Sequence, residues 1–442
     1  MATEGGNGKC LEAFTVSLNQ TLGGSSKQRW YASTLELQLA SLEFCRACRS
    51  LPTLRVCVKR PTPLSLWQEP RLRGASRVPA VRALRLAWGL PVRVLPRSCA
   101  GELLWRSSEE LELLAPPAIG GEDSPEGIAW PQGLERLVLA SAWEMPGVNP
   151  WPISLRQLEF GDWFNEPIAR VVWPASLLRV SFRDFFDQDI TGVVWPDSIQ
   201  DICFGNPFNH PVAGVVWPAS LQRLKFGDLY GACFNQPVTE VAWPGSLQEL
   251  TFGGGFNQPI AAVVWPAYLQ RLTFGNYFNE PVTEVDWPAF LQELAFGHCF
   301  NQPVITVGWP ACLRRLSFGY KFNKPIAGAE WPDSLEILKL EGYFDKPISG
   351  VVWPRSLKVL EFGDYFDQSI AGVVWPDSLQ QLTFGVGFNQ PIAAVVWPAS
   401  LQRLTFGCCF SQPLAGVVWP GSLLSVSCLG RLGIRSGLAG EE

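Results

Sequence analysis

The chain has 442 residues, 47% of them apolar and 17% charged, and a formal net charge of −5. This balance excludes an intrinsically disordered chain, and no run of about 18 uncharged apolar residues is present to cross a bilayer. The start, MATEGGNGKC, has no apolar h-region and residue 2 is not Gly, so an intracellular, cytoplasmic protein with no membrane span is expected.

Residues 1–49 open with a Gly- and Ser-rich stretch, expected to be flexible, and continue into an N-terminal cap. Ser33 with Glu36 forms a capping box, and Leu35, Leu39, Leu42 and Cys45 then fall on one helical face, which predicts a short helical cap. The rival is a strand through Leu35, Leu37 and Leu39. Cys45-x-x-Cys48 has zinc or redox spacing, but no second such pair follows, so these are read as packing cysteines.

Residues 50–129 carry degenerate echoes of a leucine-rich pattern: Leu51, Leu54 and Val56, then Val81, Leu84 and Leu86, then Leu111 and Leu113. This part is basic. Residues 46–106 hold 13 Lys or Arg against Glu69 and Glu102, interleaved with Trp67, Trp88 and Trp105. Such a stripe supports an alternative function, an adaptor for nucleic acid or another acidic partner.

From residue 130 to 428 the chain is a regular array. Trp-Pro dipeptides from Trp243 to Trp419 recur every 22 residues, and earlier ones begin at Trp130, Trp151, Trp173, Trp195 and Trp217, with a four-residue insertion near Leu229 to Ala232. A fixed period of 20–50 residues marks a solenoid in which each unit buries its apolar side only against its neighbours. The unit at 397–418 reads WPASLQRLTFGCCFSQPLAGVV. Its alternation at Leu404 and Phe406 predicts a short strand, and one strand per coil predicts parallel, in-register pairing. Two Pro and a Val pair disfavour helix in the remainder, so the return side should be extended, with at most a 3₁₀ turn at the Trp-Pro corner. The expected fold is mainly β, a solenoid of 22-residue coils with one parallel sheet. Residues 429–442 read as a flexible tail.

Gly follows the strand in ten of the twelve complete units, the exceptions being Arg183 and Glu341, which predicts a sharp turn that often needs positive φ. A recurring Phe is then followed by Asn165, Asn209, Asn235, Asn257, Asn279, Asn301, Asn323 and Asn389, or by Asp187, Asp345, Asp367 and Ser411. Stacked at one position, these side chains form a structural ladder that satisfies backbone groups of the turns.

The run Phe-Asn-Gln-Pro-Ile at 256–260, with Gly just before it and Pro-x-Ser-Leu-x-x-Leu-x-Phe upstream, resembles the FNIP repeat, a relative of leucine-rich repeats. The likeness covers about residues 130–428. It departs in having Trp-Pro where that family more often has Leu-Pro, which should broaden the corner. The resemblance implies a leucine-rich-repeat-like solenoid that binds protein. F-box or kinase modules, attached in some members, are not visible.

Chemistry is sparse. His210 and His298 lie four units apart at different repeat positions, and Cys233, Cys299 and Cys409 share one slot too far apart for disulfides. No phosphate loop, nucleophile elbow or acid/base pair is present, so no catalytic, cofactor or metal residue is assigned and no enzyme is expected. Two surface rows remain. Arg179, Asp201, Arg223, Glu249, Arg271, Glu293 and Arg315 alternate in charge across neighbouring strands, then lapse into Ile337, Val359 and Gln381. The turn between Gly and Phe holds Tyr230, Tyr277, Tyr320, Tyr343 and Tyr365, joined by Trp163 and Phe185, with Asp162, Asp184, Asp228 and Asp364 beside them. Tyr and Trp dominate protein-binding hot spots, so this edge is the candidate site of a scaffold for a protein partner, a basic one by charge.

Overall fold

The computed structural model describes residues 133–139, 151–228 and 231–428, together with the backbone of the strands Phe14–Ser17, Leu54–Cys57, Ala83–Leu86 and Glu110–Leu113. The helical cap expected around Ser33, the cysteine pair at Cys45 and Cys48, the basic residues between the strands of 46–106, and the tail after 428 lie outside the described residues. By its contacts the chain divides into two compact units, 1–188 with 192–199, and 189–191 with 200–442.

In the first unit the strands Phe14–Ser17, Leu54–Cys57, Ala83–Leu86, Glu110–Leu113, Arg136–Leu139, Gln157–Phe160 and Arg179–Ser181 pair in succession, all parallel. The register runs Leu84↔Leu111↔Leu137↔Leu158↔Val180, so the degenerate leucines align with those of the regular coils. In the second unit eleven strands from Asp201–Phe204 to Ser425–Cys428 pair in the same way, Leu with Leu and Phe with Phe in most coils, with Ile202 opposite Leu224, Leu340 opposite Phe318 and Phe362, and Val426 and Cys428 opposite Leu404 and Phe406. The described residues contain no helix.

Each coil is closed by turns rather than by a second regular element. At the Trp-Pro corner the Leu291 amide donates to the Pro288 carbonyl at 3.0 Å, a single i→i+3 turn. Further on, Phe300 donates to Gly297 at 3.2 Å and Val307 to Val304 at 3.4 Å. Between these turns the return side is extended, because Pro cannot donate and holds its predecessor out of the helical region.

The core consists of columns. Phe296 and Phe300 stack within one coil at 4.0 Å between centroids, and each meets its counterpart in the next coil, Phe318 at 5.7 Å and Phe322 at 6.1 Å. Trp309 stands edge-on to Phe318 at 6.1 Å and stacks on Trp331 at 6.1 Å. The Trp column therefore fills the corner from inside. Its indole N–H groups, from Trp173 to Trp397, are buried without a hydrogen-bond acceptor, so ring stacking and area burial offset about 1–3 kcal/mol of desolvation each.

The post-strand glycines are required for a reason other than the expected one. Of these glycines only Gly227 has positive φ, at 74°. From Gly253 on they are held by close approach: a Cβ on Gly275 would overlap the Gly253 carbonyl, one on Gly297 the Gly275 carbonyl, and one on Gly319 the Gly297 carbonyl. Backbone stacks on backbone at these glycines, and a Cβ there would overlap the neighbouring coil.

The Asn slot forms a continuous acceptor ladder. Oδ1 of Asn235 accepts from the Asn257 amide at 2.9 Å, Asn257 from Asn279 at 2.7 Å, Asn279 from Asn301 at 2.8 Å and Asn301 from Asn323 at 2.9 Å. Asn323 accepts from Asp345, Asp367 from Asn389, and Asn389 from Ser411. Asn165 serves Asp187 in the first unit, and Asn209 serves Asn235 in the second. Only an acceptor oxygen is needed, which is why Asp substitutes freely.

Candidate interaction surfaces

Two edges and one face of the coils carry groups that the scaffold does not require. The turn between the post-strand Gly and Phe projects outward and takes Asn206-Pro207, Gly254-Gly255, Val386-Gly387 and Cys408-Cys409 as readily as aromatics. In four successive coils it holds His298, Tyr320, Tyr343 and Tyr365, and these rings touch. His298 stacks on Tyr320 at 5.0 Å, Tyr320 meets Tyr343 edge-on at 5.0 Å, and Tyr343 meets Tyr365 at 4.6 Å. Tyr343 and Tyr365 remain exposed by 41% and 51%, so the cluster presents aromatic surface to solvent.

Tyr277 is exposed in its own turn, and in the first unit Trp163 stacks on Phe185 at 4.5 Å with both rings exposed. Tyr230 lies outside the described residues. Two of the four carboxylates on this edge are engaged within the scaffold: Asp162 faces Arg183 at 3.8 Å, and Asp228 faces Lys225 at 2.6 Å. Asp364 accepts weakly from the Val386 amide at 3.5 Å.

Two residues on this edge break the scaffold rule, Arg183 in the first unit and Glu341 in the second. Glu341 occupies the slot that stacking reserves for Gly, and the next residue, Gly342, shifts to a φ of 52° beneath the Tyr320 ring. Partial burial raises the Glu341 pKa above the ordinary carboxylate range; Lys339 opposes the shift and Glu361 adds to it. The exception thus places a carboxylate two residues before Tyr343 on this edge.

The strand face carries the charge row. Register sets Glu249 between Arg223 and Arg271, and Glu293 between Arg271 and Arg315. Arg223 pairs with Asp201 at 2.9 Å, Arg271 with Glu249, and Arg315 with Glu293 at 3.6 Å. A shallow depression of about 440 Å³ opens beside this row, where Ala295 and Ser317 leave room and Ile337 and Val359 replace charge.

His298 is an aromatic contact of Tyr320, a role its isolated position in the sequence did not reveal. Among the described residues no group of three His, Cys, Asp or Glu is arranged to hold a metal ion, and no helix is long and apolar enough to cross a membrane. Cys233, Cys299, Cys312, Cys408, Cys409 and Cys428 are free thiols. On the return side, the second Val of each Val-Val-Trp run is exposed, as at Val352, Val374 and Val396. Reading the columns for period alone missed that row, since extended backbone turns alternate residues outward.

In-register parallel strands, one per coil, joined by an extended return, define a repeat protein with a leucine-rich-repeat-like solenoid fold. The model described as FNIP Repeat matches residues 234–277, 322–365 and 366–409, and the chain carries FNIP repeats. Among solved structures it is similar to CroV588, described as a novel circular LRR protein, at 31% identity and a TM-score of 0.62 over 86% of this chain. The chain spans 60% of the length of that structure. It is also similar to an internalin, inlF, from Listeria monocytogenes str. 4b F2365, at 14% identity and a TM-score of 0.42, over 69% of this chain and 84% of that one. No curated protein matches the chain.

Proposed function

We propose that this protein is a non-enzymatic scaffold that captures a basic protein partner on the turn edge of its repeats. The observation that carries the reading is the contiguous ring cluster of Tyr320, Tyr343 and Tyr365, set in turns that accept Gly, Asn or Val elsewhere. Rings exposed at a position free of scaffold demand are the kind of group that anchors interfaces, and tyrosines bring little conformational entropy to lose. Glu341 and Asp364 supply negative charge beside them, which favours a Lys- or Arg-bearing partner through ion pairing and cation–π contact.

The test replaces Tyr320, Tyr343 and Tyr365 together with Ala. Immobilised wild-type chain should retain specific proteins from a nuclease-treated lysate, and the triple variant should lose them at an unchanged melting temperature. Retention equal to wild type by a folded triple variant overturns the proposal.

A further inference from the structure

A second set of departures lies at the other end of the strands, at the Ser of the Trp-Pro-x-Ser-Leu corner. In the flanking coils this Ser is structural: Ser246 Oγ donates to the Leu221 carbonyl at 2.7 Å, Ser334 to Leu313 at 2.7 Å and Ser356 to Leu335 at 2.8 Å. Three consecutive coils lack it, with Tyr268, Phe290 and Cys312 in its place. The carbonyls of Leu247, Leu269 and Leu291 therefore lose the hydroxyl that this slot supplies elsewhere.

The replacements do not return to the core what they remove. Tyr268 is 61% exposed and Phe290 50% exposed, their rings stacked on one another at 5.5 Å, and Cys312 is exposed in the next coil. The preceding residue in each of these coils is Ala267, Ala289 or Ala311, all exposed and none charged, as Ala175, Ala219 and Ala399 also are in coils that keep the Ser. Three adjacent corners thus form one apolar patch, and three hydrogen bonds are absent where it stands. Local rules are broken in this way where a surface serves a ligand.

The unpaired charge beside the patch is acidic. In the position just before Trp, where most coils expose Val, the coil of Tyr268 keeps Val264, whereas Asp286, Gly308 and Glu330 precede Trp287, Trp309 and Trp331, with Glu284 beside Val285. Asp286 and Glu330 are exposed. The basic group on the strand side, Arg314, is paired with Glu336 at 3.7 Å, and Gln270 and Gln292 are neutral. An apolar centre with an acidic rim complements a segment that offers apolar side chains flanked by Lys or Arg.

We infer that the corner formed by Tyr268, Phe290 and Cys312 is a docking surface for a basic amphipathic segment of a partner protein, separate from the tyrosine edge. The test uses the full chain and the variant Tyr268→Ser, Phe290→Ser, Cys312→Ser, which restores the repeat's own residue and so removes the risk of a misfolded control. A fluorescent 18-residue peptide of Leu and Lys is titrated by anisotropy, with a Leu and Glu peptide of the same pattern as its counterpart. The expected result is binding of the Leu/Lys peptide only, weakened at least tenfold in the Ser variant, which melts no lower than wild type. Asp286→Asn with Glu330→Gln should weaken it several-fold, and the Tyr320, Tyr343, Tyr365 variant should bind it as wild type does. Equal affinity of the Ser variant, or equal binding of the Leu/Glu peptide, overturns the inference. So does a concentration-dependent dimer by light scattering that the Ser variant abolishes, since the occupant would then be a second copy.

Discussion

Individual residues in this array are constrained by what stands one coil away. Gly297 shows this most sharply, because its missing Cβ is the space that the Gly275 carbonyl fills, with the Asn276 Cα close beside it. Gly297→Ala should therefore lower stability by about 1–3 kcal/mol, as overpacking does, whereas Gly308→Ala should be neutral or slightly stabilising, since nothing lies within 4 Å of its position. Urea denaturation of the two variants checks the contrast, and equal losses would refute the stacking explanation. The slot was readable as Gly from the sequence, but the cause was not: a periodic Gly is consistent with positive φ or with close approach, and only coordinates distinguish them.

Elements in this fold are pairs of neighbouring strands, and their electrostatics are set by register. Ile337–Leu340 and Val359–Phe362 place Lys339 opposite Glu361 at 2.8 Å, and Glu341 follows at the end of the first strand. Since partial burial raises its pKa above the unfolded value, folded Glu341 holds, only between the two pKa values, a proton that the unfolded chain has lost, and is ionised above that interval. Its contribution to stability falls as pH rises from the unfolded pKa through the folded one, and the charge penalty is fully present above that. Glu341→Gln should accordingly gain stability relative to wild type at pH 7 compared with pH 4. Urea midpoints of both proteins at the two pH values measure this, and a gain independent of pH would refute it. A bound cationic partner would draw the same pKa back down, which connects the exception at Glu341 to the edge on which it sits.

At the scale of the molecule each unit is a run of near-identical coils in which every inner coil is stabilised by its two neighbours. Removing one whole period should therefore preserve the fold. Deletion of residues 375–396 rejoins Val374 to Trp397 in phase, and the product should keep its β circular dichroism and unfold cooperatively with a smaller urea m-value. Deletion of 375–385 alone breaks the phase and should abolish the transition. Equal behaviour of the two deletions would contradict the repeat mechanism.

Period, strand position, parallel register and the Phe, Leu and Asn columns were determined by the sequence alone, because each coil repeats the same local problem and the same residues solve it every 22 positions. The charge row was legible for the same reason, since register places slot against slot. Tertiary structure decided what a period cannot contain: which exposed rings touch, that Asp162 and Asp228 are engaged by Arg183 and Lys225, and that the second Val of each pair faces solvent. It also decided the meaning of the exceptions. Tyr268, Phe290 and Glu341 look like ordinary drift in a degenerate repeat until the hydroxyl–carbonyl bond and the backbone contact that they displace are seen in the adjoining coils, because those interactions join residues about 22 apart and exist only once the chain has stacked.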